Sequence, residues 1–399
     1  MVCLLHAVPE FFVMSGDDMV YYIGYYNCDA IRCEERITAA AAENKMRYVK
    51  TALREAWDGQ IEIVNPAETR LRRPVKGRKL RLDDRVGMKT FSSFSSRFRL
   101  LRASGHLWTK FLFAAYLFLN VKPEDHLIVY HSLAYMGVFK ALKRIKKCGL
   151  TIEVEELYAD VAGDEKLRGK EIAYLQTADS YIFITELLRR EVNTEKAALI
   201  SHGTYRSVPD YGFRFDDDRI HVVYAGTFRR AKGGAYTAIA AAEYLDSRYT
   251  LEVLGRGSEE ENAAVQALIS EVSKKTDCGI NYAGFKTGRE FDAYIQACHI
   301  GMSTQQPEGK YNATSFPSKV LMYMSNGLPV VSVRIAAVET SDVKDYLFYY
   351  DEPTPQNVAE AIRSVPLRDL KNPAIRLAEL NEEFIAGLKR LLKHEKGKA

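Results

Sequence analysis

Two segments of this chain combine lysine, glycine and hydroxyl side chains where a helix is expected to begin. In YAGTFRRAKGG, Gly226 ends an apolar run and Lys232 and Gly233 open the helix that follows. Free N–H groups at a helix N-terminus and an ammonium beside them both favour negative charge, so the segment reads as part of a diphosphate site. Thr227, Arg229, Arg230 and Lys232 are its candidate contacts, and a solvated strand-to-helix loop is the plainer alternative. In STQQPEGKYNATSFPSKVLMYMSNGLPVVS, residues 303–332, Lys319 stands beside Ser315 and Ser318 where Pro317 opens a helix that Gly327 closes. Proline and glycine there are ordinary helix punctuation. Lysine and serines at the positive end of the helix are not required by it, and they suit a second set of phosphate contacts.

A third segment, VLGRGSEEEN, places Gly255 and Gly257 in a turn after a strand. It lacks the third glycine of a dinucleotide fingerprint, and glutamates follow at once, so it reads as a tight turn that shapes the same site. A fourth, TIEVEELYAD, sets Glu153, Glu155 and Glu156 at a strand end, with Glu156 as the candidate base or acceptor-orienting carboxylate and a solvated charge cluster as the alternative. The run Asp216, Asp217 and Asp218 precedes a strand and reads as a solvated turn, not as a metal site. The 6 cysteines are scattered, with no C-x-x-C pair and no histidine at ligand spacing, which fits free thiols in a reducing cytosol. No metal and no cofactor are expected.

Formal charge is +4 over 56 basic and 52 acidic residues, a balance that argues against nucleic acid as a partner. FLFAAYLFL, from Phe111 to Leu119, is far shorter than the roughly 18–20 residues of a membrane span and reads as a core helix. The first residues show no basic segment followed by an apolar run, so no signal peptide is expected, and Met14 and Met19 are alternative starts to Met1. A basic arm from Arg70 to Arg85, followed by Phe91, Phe94 and Phe98, suits either an anionic membrane surface or a solvated loop.

These segments need a scaffold that delivers loops to one edge. MVYYIGYYN, IEIVNPAE, HLIVYHS, LTIEVEEL, SYIFIT and AALISHG read as strands, separated by helices over Glu34 to Ala56, about Leu107 to Asn120, up to Lys147, and about Asp164 to Ala178. After a polar segment the alternation restarts with HVVYAG, YTLEVLG, INYAG, HIGMST and LPVVSV. Strands alternating with helices predict parallel sheets, with ligands at the carboxyl ends of the strands. The expected organisation is a first domain over 1–203, a linker over 204–219 and a second domain over 220–372, with a helix over 373–394 packing back on the first.

In order and spacing, YAGTF with Lys232 and Gly233, LEVLGRG, INYAGF, ACHIGMSTQ and FPSKVLMYMSNGLPVVS resemble the GT-B glycosyltransferase superfamily, bacterial capsule and lipopolysaccharide enzymes included, in a branch with the FPSK sequence. The resemblance implies an α/β fold of two Rossmann-like parallel-sheet domains facing across a cleft. It implies an enzyme that moves a sugar from a UDP-linked donor, held by the second domain, to a hydroxyl of a glycan or lipid-linked glycan, with retention favoured. It assigns Lys232 to the donor diphosphate, Gly226 to close backbone approach, Ser318 and Lys319 to donor contacts, and His131 to the transferred sugar. A buried histidine satisfied by a carbonyl is the other reading of His131. The chain departs from the pattern where many relatives carry two glutamates, since Thr314 and Met322 stand there, and where they carry an arginine, since Thr227 does; Glu308 is a loop carboxylate at the wrong spacing. A cytoplasmic enzyme at the inner face of a membrane is expected. A sugar-nucleotide epimerase or phosphorylase on the same scaffold, and a non-catalytic binding subunit, stay open as alternatives.

Overall fold

The computed structural model describes residues 18–230, 233–304, 314–368 and 370–396. Met14, Lys232 and Glu308 lie outside them. In chain order the first elements are β1 (Val20–Ile23), α1 (Ala40–Ala56), β2 (Ile61–Asn65), β3 (Lys79–Arg81), β4 (Val86–Thr90), α2 (Arg99–Asn120), β5 (His126–Tyr130) and α3 (Met136–Lys146). Then come β6 (Gly149–Val154), α4 (Tyr158–Ala162), α5 (Glu165–Leu175), β7 (Ser180–Phe183), α6 (Glu186–Val192) and β8 (Ala197–Ile200). The remainder is β9 (Ile220–Thr227), α7 (Gly234–Ala241), β10 (Tyr249–Arg256), α8 (Glu259–Val272), β11 (Gly279–Gly284), α9 (Gly288–Ala297), β12 (Ile300–Ser303), α10 (Ser318–Ser325), β13 (Val330–Val333), α11 (Ala336–Glu339), β14 (Leu347–Tyr350), α12 (Pro355–Ser364) and α13 (Pro373–Lys396).

The chain divides into two compact units. One takes in the chain up to Ile184, Leu188–Thr204 and the chain from Glu383 on; the other takes in Thr185–Leu187 and Tyr205–Glu382. The first holds an 8-stranded sheet in the order β3-β4-β2-β1-β5-β6-β7-β8, parallel except for the β3–β4 pair. The second holds a 6-stranded, wholly parallel sheet in the order β11-β10-β9-β12-β13-β14. Strands covered on both faces must be apolar throughout, which is why VYYI and HLIVY are buried at every position. The architecture is the expected one, two Rossmann-like parallel-sheet domains.

Several local expectations are corrected. The helix foreseen from Glu34 begins only at Ala40, because Glu34 and Arg36 form a buried ion pair at 2.7 Å and Thr38 bonds the Tyr25 carbonyl at 2.9 Å. Within the basic arm, Lys79–Arg81 is an edge strand, where charged side chains reach solvent without disturbing the ladder. Phe91 is buried and belongs to the core, not to an exposed aromatic cluster. FLFAAYLFL is not a core helix: α2 starts at Arg99 and buries only Gly105, Thr109, Phe113 and Leu117, leaving Phe111 62% and Leu119 82% exposed. The segment after Thr204 does not hang free. In the second unit Arg206 pairs with Asp292 at 2.5 Å, the Tyr211 N–H meets Gln296, and Phe215 stacks on His221 at 3.8 Å.

From Glu383 on, α13 contributes to the core of the first unit. Phe384 stacks on Tyr48 at 5.5 Å, and Leu388, Leu391 and Leu392 are buried.

Candidate functional site

At the carboxyl ends of β9 and β10 the backbone carries glycine where a side chain has no room. Gly255 has φ +141°, and a Cβ there would meet the Gly226 carbonyl oxygen at 1.8 Å. A Cβ on Gly226 would meet Lys319 Nζ at 2.6 Å and the Tyr224 hydroxyl at 3.0 Å. These two absences open a pocket of about 360 Å³ whose floor is Gly226, Thr227 and Gly255 and whose walls include Arg256, Phe285 and Lys286. That lies within the roughly 300–1,000 Å³ of small-molecule sites.

Cationic groups border this floor. Lys319, in the first turn of α10, donates to the Tyr224 hydroxyl at 3.0 Å and lies 4.1 Å from the centre of its ring. The Arg256 guanidinium lies 4.1 Å from the Phe285 ring centre, and Lys286 pairs with Glu290 at 2.6 Å. Two helices begin at this edge of the sheet. α7 follows Gly233, held at φ 65°, and α10 follows Pro317; among the described residues neither has a side chain capping its N-terminus. A helix N-terminus favours negative charge through its dipole and its first N–H groups. In α8, by contrast, Ser258 and Glu261 form a capping box, so the glutamates after Gly257 serve the helix and not the pocket.

Of the residues singled out from sequence, Gly226, Thr227, Gly255 and Lys319 are brought together here. Ser315 is half-buried and Ser318 exposed at the start of α10. Arg229 and Arg230 are exposed and do not line the pocket, and Arg230 instead lies over Tyr236 at 6.0 Å. Arg256, Phe285 and Lys286 were missed. The signal available was a cation between two glycines in LGRG and an aromatic-cation pair after the strand-ending glycine in AGFK.

The first unit gathers polar groups at the carboxyl ends of β1, β5 and β6. His131 is 1% exposed; its Nε2 lies 2.6 Å from Glu171 Oε1, and its Nδ1 has no hydrogen-bond partner among the described residues. Of the three carboxylates in TIEVEEL, Glu153 accepts from the Tyr22 hydroxyl at 2.7 Å and Glu155 pairs with Lys45 at 3.3 Å. Glu156 accepts no hydrogen bond among the described residues. Burial first, and then repulsion from Glu155 and Glu171, raise its carboxyl above the ordinary range. Tyr25, which meets Ser132 at 3.2 Å, and Tyr158 complete the group.

Glu153 has a consequence for stability. Burial pushes its carboxyl up to about 7, Lys45 opposing and Glu155 reinforcing. The folded state therefore holds a proton that the unfolded chain releases near pH 4.5, and stability falls as pH rises from there through about 7. Glu153→Gln keeps an acceptor for Tyr22 and carries no charge. It is expected to stabilise the protein by about 2–3 kcal/mol at pH 8 and to be neutral at pH 4. Urea unfolding at the two pH values checks this, and equal effects at both would refute it.

Among the described residues no group of three or more His, Cys, Asp or Glu is placed to hold a metal ion. Residues 219–366 match the family of glycosyl transferases group 1. No curated protein matches the chain. Among solved structures the chain resembles an α,α-trehalose-phosphate synthase (UDP-forming) from Burkholderia vietnamiensis, with 12% identity, TM-score 0.65, and coverage of 96% of this chain and 99% of that one. The corresponding enzyme from Burkholderia xenovorans, in complex with glucose-6-phosphate, gives 12%, TM-score 0.62, 93% and 100%. An E. coli trehalose-6-phosphate structure bound with UDP-2-fluoro glucose gives 11%, TM-score 0.61, 94% and 97%.

Proposed function

We propose, on the premise that this chain is a glycosyltransferase of the GT-B superfamily with a group 1 domain in its second unit, that it transfers a sugar from a UDP-linked donor to a hydroxyl of an uncharged glycan or lipid-linked glycan in surface polysaccharide biosynthesis. The observation that carries the donor half is the glycine-floored pocket with Lys319 beside it. The uracil and ribose enter the pocket beside the stacked Arg256 and Phe285, and the diphosphate lies toward Lys319, Ser318, Ser315 and the N-termini of α7 and α10. Lys232, outside the described residues, is the further lysine for it, with Arg229 and Arg230 turning in from solvent.

The acceptor half rests on Glu156, Glu155, Tyr25 and Tyr158 at the strand ends of the first unit. Carboxylates there repel a phosphorylated acceptor and suit hydroxyls, which they orient by accepting hydrogen bonds. In the reaction the bond from the anomeric carbon to the diphosphate oxygen breaks and the acceptor oxygen bonds to that carbon. With retention, the acceptor proton passes to the departing phosphate oxygen and UDP leaves, its charge stabilised by Lys319. Glu156 orients the acceptor, and the buried His131, held by Glu171, fixes the strand end behind it. The enzyme works in the cytoplasm at the inner membrane face, where the arm Arg70–Arg85 meets anionic lipid.

A second reading has one observation in its favour. Met322, one turn beyond Lys319, occupies a place where many relatives carry a glutamate, and a subunit that binds nucleotide without turnover fits that change. Calorimetric titration of UDP and of GDP, without metal, decides the donor. Saturable UDP binding at least about tenfold tighter than GDP supports the reading. No binding of either overturns it, and binding without transfer from any UDP-sugar leaves the second reading in its place.

A further inference from the structure

Helix α2 has two opposite faces, and only the narrow one is explained by the fold. Gly105, Thr109, Phe113 and Leu117 recur every fourth residue and pack inward. Leu100, Leu101, Leu107, Trp108, Phe111 and Leu119 are 85%, 53%, 64%, 47%, 62% and 82% exposed. At about 100° per residue they fall within roughly 120° of the circumference, opposite the buried stripe. Trp108 and Phe111 stack on each other at 6.1 Å near the middle of this face. Scattered exposed leucines need no explanation, but an aligned aromatic and aliphatic stripe does.

The charge on the helix itself is of one sign. The 22 residues of α2 contain no aspartate or glutamate, and Arg97, Arg99 and Arg102 cluster at its exposed start, Arg97 lying 4.8 Å from the Phe98 ring centre. The exposed Arg70, Arg72 and Arg73 belong to the same region, because the arm that carries them is bridged to the entry of α2 at Val75–Ser93 and Ser92 is bonded by Thr109. The nearby Glu68 is engaged by His106. No described helix is long and apolar enough to cross a membrane.

We propose that the outer face of α2 is a docking surface for an anionic phospholipid bilayer, with Leu100, Leu107, Trp108 and Phe111 entering the interface and the arginines meeting headgroup phosphates. An apolar face plus cations at one end is the combination that holds a helix in the plane of a charged bilayer. The proposal deepens the membrane contact assigned to the arm Arg70–Arg85 and rests on that reading: the arm supplies charge, and α2 supplies the insertion.

The chain has 2 tryptophans, so Trp57→Phe leaves Trp108 as the sole indole reporter. Mixed with vesicles of phosphatidylcholine and phosphatidylglycerol, this protein is expected to sediment with the lipid and to shift its emission to the blue. Pure phosphatidylcholine vesicles should hold it about tenfold less well. Adding Leu100→Gln and Phe111→Gln, both at exposed positions, should weaken sedimentation by at least about tenfold while UDP binding stays unchanged. An unshifted emission on phosphatidylglycerol vesicles, or equal sedimentation of the variant, overturns the proposal. So does a dimer in sedimentation velocity that the same two substitutions dissolve, which would give the face to a second copy. Loss of UDP binding in the parent protein would refute the donor reading and leave the vesicle result standing.

Discussion

Glu171→Ala is expected to cost the first unit about 3 kcal/mol or more, because each buried donor left without its acceptor costs about 1–3 kcal/mol. The carboxylate is fully buried and accepts from His131 Nε2 at 2.6 Å and from the N–H groups of Tyr158 and Ala159 at 3.0 and 2.9 Å. Alanine would leave the histidine and two N–H donors at the start of α4 without their acceptor. Burial alone would raise the Glu171 carboxyl, but the His131 hydrogen bond and the two N–H donors outweigh it and hold it below the ordinary value. The stability it contributes is thus complete above the carboxyl range and is lost as pH falls through the lowered folded value. Glu171→Gln retains one acceptor and should lose distinctly less than alanine at pH 7. Urea unfolding of both variants checks this, and a loss below about 1 kcal/mol for alanine would show that His131 is held by other contacts.

Lys319→Ala is expected to lower kcat by about 10²–10³ and to weaken UDP binding by about tenfold, the scale for removing a group that stabilises charge as it develops. The ammonium is held by Tyr224 at 3.0 Å, at the start of α10 and against the bare Gly226 backbone. It is therefore placed before the donor arrives and need not be ordered during the reaction. Lys286 makes a useful control, since its own ion pair with Glu290 leaves it less to give, and Lys286→Ala should affect KM more than kcat. If Lys319→Ala leaves kcat unchanged while the fold is intact, the departing charge is stabilised elsewhere.

The sheets were legible because a parallel strand covered on both sides is apolar along most of its length, and VYYI and the LIVY of HLIVY announce that directly. Gly226 and Gly255 were legible for a related reason: glycine at a strand end in such a fold reports that backbone must come close to something. Arg256, Phe285 and Lys286 were not, because they reach one pocket from the ends of β10 and β11, strands separated in the chain by the whole of α8. Apolar content alone misled at FLFAAYLFL. Composition cannot tell a helix buried on one narrow stripe from one buried all round, and only the spacing of Gly105, Thr109, Phe113 and Leu117 separates the two. The late start of α1 was hidden as well, since it depends on Glu34 and Arg36 finding each other in the interior.

The last stretch of α13 bears on how the protein comes into being on the ribosome. The first unit begins the chain, yet Phe384, Leu388, Leu391 and Leu392 belong to its core and are the last of it to be made. A nascent chain therefore completes the later unit, Tyr205–Glu382, first, reversing the usual order in which N-terminal domains finish before those behind them. Until residues 384–392 have been made, the apolar surface around Tyr48 and Leu199 waits uncovered, and a product terminated before them carries that surface as a lasting mark for chaperones and proteases.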